Sequence, residues 1–307
     1  MKGISEIIAA ASALGRLKLA VAAAQETSVL EAVAEAYEAG VAEPILIGDP
    51  EAIVRAAGQA RDGRGVDISG FEIVPAADPY QAASKAVGLV KSGAAGFLMK
   101  GILDTSVLLK ALLNKETGLN AGRLVSHVAV MEVPTYHKLL IVSDAAINIA
   151  PDLSGFVDII ASTVRVAAAI GVGNPKVAIL AAVEKVNAEK MPCTVTAAIL
   201  TQMNRRGQIP GCIVDGPLAL DNAISAESAR IKKIRSEVAG DADILIAPDI
   251  EAGNILYKCL LDLARARGAA IVMGAAKPVV LTSRADTAET KLASIALAAL
   301  VGRLVQA

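Results

Sequence analysis

Short runs of apolar residues recur along the chain, and each is separated from the next by a longer segment with helical periodicity. Several of the runs are continuous rather than alternating, as in strands buried on both faces of a parallel sheet. Eleven runs are predicted as strands: Leu17–Ala23, Pro44–Ile47, Phe71–Pro75, Gly96–Lys100, Ser126–Val133, Lys138–Val142, Lys176–Ala182, Cys212–Val214, Ala242–Ala247, Ala270–Gly274 and Pro278–Leu281. This alternation predicts the α/β class, because βαβ units wind with a right-handed crossover into an open sheet.

The segments between the runs begin with residues that favour helix starts. A side chain able to accept hydrogen bonds from the first turn stands before each of five segments: Thr27, Asp49, Asp104, Asp221 and Thr287. Asp49 is followed by a proline, which is favoured in the first helical turn. We therefore expect doubly wound, mostly parallel sheets.

The length of 307 residues fits two α/β domains. We expect residues 1–122 plus 273–307 to form the first domain and residues 123–272 the second, with a cleft between them. Residues 134–137 form a short link between two predicted strands, which favours a local antiparallel pair.

Composition excludes several classes of function. The net charge of −1 with interleaved signs gives no surface for a polyanion, so we expect no nucleic-acid partner. No window reaches the roughly 18 uncharged apolar residues of a membrane span, and the N-terminal segment lacks the apolar core of a signal peptide. Three separated cysteines and two histidines predict a reduced, cytoplasmic protein without a histidine-rich metal site.

The loop at residues 282–286 has the chemistry of an anion site. Thr282, Ser283 and Arg284 stand before the last predicted helix, where free backbone N–H groups already favour an anion and a guanidinium adds a planar donor fork. Phosphate or the pyrophosphate of coenzyme A would suit it. In the simpler alternative, Ser283 or Asp286 caps the helix and Arg284 is a solvated charge.

A second loop follows the predicted strand Ala242–Ala247 and precedes a helix that we expect to begin near Ile255. In this loop Gly253 permits close backbone approach, and Asn254 offers a donor and an acceptor beside Asp249. The ordinary alternative is a strand-to-helix turn.

Two further loops contribute candidates. Asp215 and Gly216 follow the predicted strand Cys212–Val214 as a strong turn signal. The remaining candidates for binding an anion are Lys100, Ser106, Lys110 and Lys277, although solitary lysines are usually solvated.

Familiar catalytic fingerprints do not occur in the sequence. It contains no GxSxG elbow, P-loop or GxGxxG. His127 alternates with apolar neighbours and is expected at the edge of the core, while His137 lies in a turn. The residues alone therefore support an α/β enzyme with an anionic ligand and no metal, and they do not name the reaction.

Taken together, the loops resemble the phosphate acetyl/butyryltransferase family, over nearly the whole chain from residues 18–22 onward. The most specific segments are VDGPLALDNA (214–223), APDIEAGNILYK (247–258) and the AKP…TSR tail (276–284). The segment KLLIVSDAAIN (138–148) is closer to the butyryl branch than to the acetyl branch.

The resemblance implies a fold similar to the isocitrate and isopropylmalate dehydrogenases, with the last helix returning to the first domain. It also implies a homodimer or higher homo-oligomer, acyl-CoA and phosphate as substrates, and no tightly bound cofactor or metal. The Ser283-Arg284 pair matches the family's Ser-Arg motif, which implies contacts to coenzyme A near its thiol end.

The chain departs from the acetyl enzymes at two positions. Lys110 stands where they have an arginine, which keeps the charge but loses bidentate phosphate geometry. Thr290 stands where they place a putative general-base aspartate, so that role is not transferred. Asp286 is the nearest carboxylate and becomes the substitute.

The expected activity is transfer of a short acyl group, butyryl favoured, between coenzyme A and inorganic phosphate. One alternative is a phosphate acetyltransferase, and another is a catalytically silent CoA-binding or regulatory protein of the same fold. A decarboxylating dehydrogenase of this fold would need clustered aspartates for a metal, which the sequence lacks.

Overall fold

The computed structural model of the chain describes residues 1–282 and 286–304. The strands in this part of the chain are β1 (Leu17–Ala22), β2 (Ala42–Gly48), β3 (Glu72–Pro75), β4 (Phe97–Lys100), β5 (Ser126–Glu132), β6 (Leu140–Ser143), β7 (Lys176–Leu180), β8 (Ile213–Leu218), β9 (Ile244–Ile246), β10 (Arg267–Met273) and β11 (Val279–Val280). Each of the eleven predicted strands overlaps one of them.

The helices of the described chain are α1 (Ile4–Ala13), α2 (Thr27–Glu38), α3 (Pro50–Gln59), α4 (Pro79–Lys91), α5 (Thr105–Leu112), α6 (Leu153–Ala169), α7 (Cys193–Arg205), α8 (Leu220–Ile224), α9 (Ala226–Ile231), α10 (Ile250–Lys258) and α11 (Ala288–Leu304). One π-helical turn, Cys259–Leu263, continues α10. Asp49 caps α3 as expected, since its carboxylate accepts from the Glu51 N–H at 3.0 Å.

The single helix predicted after Asp221 is wrong, because the chain breaks it into α8 and α9. Ser225 adopts an extended conformation between them, and its hydroxyl accepts from the Ser228 N–H at 3.3 Å to cap α9. Serine favours such caps over helix interiors, because its side chain competes for backbone hydrogen bonds.

The chain divides into two compact units. The terminal unit comprises Ile4–Arg123 with the described residues from Ala269 onward, and the central unit comprises Met1–Gly3 with Leu124–Gly268. The domain limits expected from the sequence, after residue 122 and before residue 273, stay a prediction.

The terminal unit carries strands in the order β3-β2-β1-β4-β11-β10. Neighbours are parallel except β10 and β11, which pair antiparallel through Val272 and Val279. Helix α11 lies buried against α1 and α2. Its small side chains allow this close packing, and its buried Ser294 hydroxyl accepts from the Ala270 N–H at 2.9 Å.

The central unit carries strands in the order β5-β6-β9-β7-β8. The antiparallel pair expected around residues 134–137 is confirmed as β5 and β6, and the other neighbours are parallel. The α/β class with mostly parallel sheets is therefore confirmed. Among the described residues, every helix is too short or too polar to cross a bilayer.

A cluster of charges ties together the amino ends of the central strands. Asp241 accepts from the Lys176 ammonium at 2.6 Å and from the His137 ring at 2.9 Å, while Lys138 pairs with Asp243 at 2.6 Å. Partial burial raises the pKa of Asp241, but the hydrogen bonds from the two lysines and His137 outweigh it and hold that pKa well below its usual range. The cluster is on the edge opposite to the strand carboxyl ends.

Candidate active site

Open α/β sheets bind ligands beyond the carboxyl ends of their parallel strands. In the central unit, the chain leaves β6 at Asp144 and β9 at Ala247, and residues 181–192 follow β7. In the terminal unit the corresponding segment after β4 is residues 101–104. Of the candidates expected from the sequence, Asp249 lies in these segments and Lys100 ends β4 directly before one of them.

Helix α10 begins at Ile250 rather than near Ile255, so the predicted loop is the first turn of a helix. Asp249 caps it by accepting from the Ala252 N–H at 2.8 Å. Gly253 lies directly against the Asp144 carbonyl oxygen, where a methyl group would overlap it. The Asn254 amide donates to the Ala145 carbonyl at 2.9 Å. The structure thus brings these three candidates together, and each holds α10 to the loop after β6 or caps it.

Asp215 and Gly216 lie within β8, so the prediction of a loop there is wrong. A side chain at Gly216 would come within 2.8 Å of the Ile179 carbonyl, and this close strand packing requires glycine. The Thr201 hydroxyl donates to the Gly216 carbonyl at 3.2 Å. Asp215 lines a cavity of about 460 Å³ together with Arg235.

The candidates near β4 take different positions. The Lys100 ammonium donates to the carbonyls of Gly101 at 3.2 Å and Leu103 at 3.1 Å, so it orders the loop that follows the strand. Ser106 and Lys110 are exposed on α5. Lys110 lines a cavity of about 180 Å³ with Tyr80, between α4 and the end of α5.

The C-terminal candidates flank a segment that lies outside the described residues, and that segment contains Ser283 and Arg284. Thr282 is buried directly before it, Asp286 is half-buried directly after it, and Lys277 is half-buried before β11. Thr290 lies in the first turn of α11, where its N–H donates to the Thr287 hydroxyl at 3.2 Å. Thr290 is thus part of the hydrogen-bonded first turn of α11.

A buried carboxylate at the end of β6 was not among the site residues predicted from the sequence. Asp144 is 4% exposed, and its Oδ1 accepts from the N–H groups of Ala146 at 2.9 Å and Ile147 at 3.1 Å. Its Oδ2 accepts from the N–H of Asn148 at 3.1 Å and from the Asn148 side-chain amide at 2.5 Å. The Ser-Asp pair that ends an apolar run was the available signal, because a charged residue there must be satisfied at the sheet edge.

His127 lies in the interior rather than at the core edge, with 4% exposure. Burial lowers its pKa, against the opposing effect of Asp144. Its ring meets the Tyr257 ring edge-on at 5.4 Å, and within the described chain its Nδ1 has no hydrogen-bond partner. Neutral imidazole is therefore the form that this environment favours.

The carboxyl ends of β7 and β9 border a pocket of about 420 Å³. The residues that form its walls include Leu180, Met191, Cys193, Ala247, Ala252 and Leu256. Among the described residues, none that lines it is charged. Burial raises the pKa of the Cys193 thiol, as expected for a wall of this kind.

Comparison with known proteins gives a consistent result. The family model described as phosphate acetyl/butaryl transferase matches residues 80–299. The phosphate butyryltransferase of Clostridium acetobutylicum is 48% identical over 98% of this chain and 98% of its own. The phosphate acetyltransferase of Thermotoga maritima is 49% identical over 92% of this chain and 94% of its own.

A solved structure extends this likeness to three dimensions. The crystal structure of a branched-chain phosphotransacylase from Enterococcus faecalis V583 superposes with a TM-score of 0.80 at 33% identity, covering 93% of this chain and 99% of that one. Sequence and fold thus agree along nearly the whole chain.

Proposed function

This chain belongs to the phosphate acetyl/butaryl transferase family and is a phosphate acyltransferase, and we propose that it moves a short acyl group, with butyryl favoured, between coenzyme A and inorganic phosphate. The observation that carries this proposal is the near full-length likeness to a phosphate butyryltransferase. Because a phosphate acetyltransferase is equally similar, the preference for butyryl is supported instead by the apolar pocket of about 420 Å³.

The proposed reaction is a direct displacement. A phosphate oxygen attacks the thioester carbonyl, the tetrahedral oxyanion collapses, and coenzyme A leaves as its thiolate while the acyl phosphate forms. Lys110, Lys277 and Arg284 hold phosphate and stabilise the developing charge, and Ser283 donates a hydrogen bond to the sulfur or the carbonyl oxygen. In the reverse direction Asp286 takes the proton of the thiol, whose ordinary pKa is about 8.5.

The environment of Cys193 and Cys212 supports displacement without an acyl-enzyme at either of them. Burial raises the pKa of Cys212 to about 11 and also raises that of Cys193. A thiol must lose its proton to act as a nucleophile, so both are poor candidates for carrying the acyl group.

The remaining substrate-binding candidates serve the same reaction in this proposal. Lys100, Asp249, Gly253 and Asn254 hold loops near the substrates through the contacts described above, and Ser106, Asp215, Gly216 and Thr282 are further proposed contacts to the substrates. We further propose that coenzyme A is a substrate rather than a bound cofactor, that the protein is cytoplasmic, and that it works as a homodimer or higher homo-oligomer without a nucleic-acid partner.

The test mixes purified protein with acyl-CoA and phosphate and follows release of free thiol. We expect phosphate-dependent release that is faster with butyryl-CoA than with acetyl-CoA. No release with any chain from acetyl to hexanoyl would refute the proposal, and CoA binding without turnover would favour the silent binding protein. Faster release with acetyl-CoA would favour a phosphate acetyltransferase.

Variants test the proposed phosphate contacts. Arg284→Ala should lower kcat/KM by about 100-fold, as for loss of a charged group that stabilises the transition state. Arg206→Ala is the matched control, because Arg206 is exposed at the end of α7. Lys110→Ala should raise the KM for phosphate, whereas Lys110→Arg should keep or lower it because arginine restores the planar fork. Unchanged kinetics in Arg284→Ala would remove this residue from the site.

A further inference from the structure

The apolar pocket of the central unit lies at the edge of the sheet where α/β proteins bind ligands. It is lined by Leu180, the last residue of β7, by Ala247 directly after β9, and by Ala252 and Leu256 of α10. Ligand pockets at this edge are lined mostly by apolar side chains with a few polar groups that orient the ligand. A pocket there with no charged residue among its described lining points to a ligand with an apolar part.

The wall formed by residues 181–192 is an ordered part of the pocket. The Asn187 N–H donates to the Thr194 hydroxyl at 2.8 Å, and the Met191 N–H donates to the Asn187 carbonyl at 2.9 Å. Glu184 in the same segment accepts from the Lys232 ammonium at 2.7 Å. Met191 is thus held at one end of a braced loop, with its side chain in the wall.

The chemistry of the lining limits what can occupy the pocket. A phosphate, a nucleotide or an ammonium group would lose its hydration there without gaining a charged or strongly polar partner. A hydrocarbon group gains from the same surface. The volume of about 420 Å³ falls in the usual range for small-molecule pockets, about 300–1,000 Å³, and exceeds what an acetyl methyl group fills.

We propose that this pocket receives the hydrocarbon end of the acyl group and that Ala252, Met191 and Leu256 set the preferred acyl length. The inference rests on the proposed function and assigns its chain-length selectivity to these residues. The alternative occupant is a second copy of the chain, which could cover exposed apolar side chains at the pocket such as Leu220, with 38% exposure.

The first experiment compares kcat/KM for acetyl-, butyryl- and hexanoyl-CoA in Ala252→Leu and in the unaltered protein. Leucine on α10 adds three carbons to the wall, so activity should fall with chain length, by roughly fourfold for each methylene that no longer fits. Ala188→Leu is the control, because Ala188 is exposed on the loop and does not line the pocket. Met191→Ala should shift the preference in the opposite direction, toward hexanoyl.

A second experiment detects occupancy without turnover. N-ethylmaleimide alkylates the protein at about pH 9, where the thiol of Cys193 is more reactive despite its raised pKa, and mass spectrometry follows each cysteine. In the absence of phosphate, butyryl-CoA should slow alkylation of Cys193 at least threefold more than acetyl-CoA does. Cys259 is exposed outside the pocket and serves as the internal control.

The outcomes distinguish a failure of the proposed function from a failure of the pocket assignment. If no acyl-CoA releases thiol but butyryl-CoA protects Cys193, the proposed function fails and the pocket assignment stands. If turnover is normal, a chain-length profile unchanged in Ala252→Leu together with equal protection by both thioesters overturns the inference. Loss of activity at every chain length with a changed oligomeric state, measured by light scattering, also overturns it and assigns the pocket to a second copy.

Discussion

Asp144 offers the sharpest test of how the central unit holds its loops. The loop after β6 has no strand or helix of its own until α6, and the Asp144 carboxylate satisfies three consecutive N–H groups within it. Its fourth contact is the side-chain amide of Asn148. The carboxylate is buried, so these contacts replace its hydration.

Replacing Asp144 with asparagine keeps one acceptor oxygen and turns the other into an amide NH₂. The two hydrogen bonds to Oδ2, both donated by Asn148, are then lost, because the NH₂ group that replaces Oδ2 is itself a donor. A hydrogen bond to a charged group contributes about 1.5–3 kcal/mol, so two give about 3–6 kcal/mol. The Asn148 amide retains its bond to the Val125 carbonyl at 2.8 Å, which places the expected loss near the lower end, about 3 kcal/mol.

Urea unfolding of Asp144→Asn, followed by far-UV circular dichroism, measures this loss. The thermal midpoint should fall in parallel by about 6–12 °C, at roughly 2–4 °C per kcal/mol. Asp152→Asn is the control: both of its side-chain contacts, from the Gly155 N–H and the Ser154 hydroxyl, go to a single oxygen that asparagine keeps. A loss below about 1 kcal/mol in Asp144→Asn would contradict the reasoning, since it would mean that the Oδ2 contacts contribute little.

Three further changes test the packing and charges around the same unit. Burial lowers the pKa of His127, so the folded state keeps the ring neutral while the unfolded chain takes up a proton below about pH 6.5. The free energy of unfolding should therefore fall by up to about 1.4 kcal/mol from pH 7.5 to 5.5. In His127→Phe the urea midpoint should depend less on pH over that range. The pKa of Asp241 is depressed in the folded state, so its ion pairs stabilise the fold above about pH 4 and this stabilisation is lost as the pH falls. Asp241→Asn should therefore lower the free energy of unfolding by about 1 kcal/mol at pH 7, and by progressively less below pH 4, in the same assay. Gly253→Ala should lower the thermal midpoint through a loss of about 1–3 kcal/mol, because its methyl group meets the Asp144 carbonyl, whereas Gly58→Ala has open space and should not lower it.

The strands and several helix starts were predictable because their causes are local. The apolar run that became β9 and the aspartate at position 49 before α3 carry their own signals, namely burial on both faces and a capping side chain. The turn predicted at Gly216 was wrong because Asp-Gly-Pro favours a turn only when it is considered in isolation. In the fold the glycine is required by contact with Ile179, which is remote in sequence.

The candidate site was predictable only in part for the same reason. Asp249 was identified as a loop residue near a helix, and the structure gives it the helix cap. The roles of Asp144 and His127 depend on the pairing of β5 with β6 and on the approach of α10, which no local pattern encodes. The Ser283-Arg284 pair came from the family resemblance, and its substrate contacts stay a prediction.

One helix connects the buried polar group to the apolar pocket. Residues four apart lie on the same face of a helix, and α10 uses two neighbouring faces in this way. Gly253 and Tyr257 meet Asp144 and His127, while the residues one position earlier in each pair, 252 and 256, line the pocket. The absence of a side chain at Gly253 therefore allows α10 to lie close to Asp144, on the face next to the one that lines the pocket. The close backbone approach that the sequence predicts for Gly253 is thus made to Asp144, beside the residues to which the proposed acyl-length selectivity is assigned.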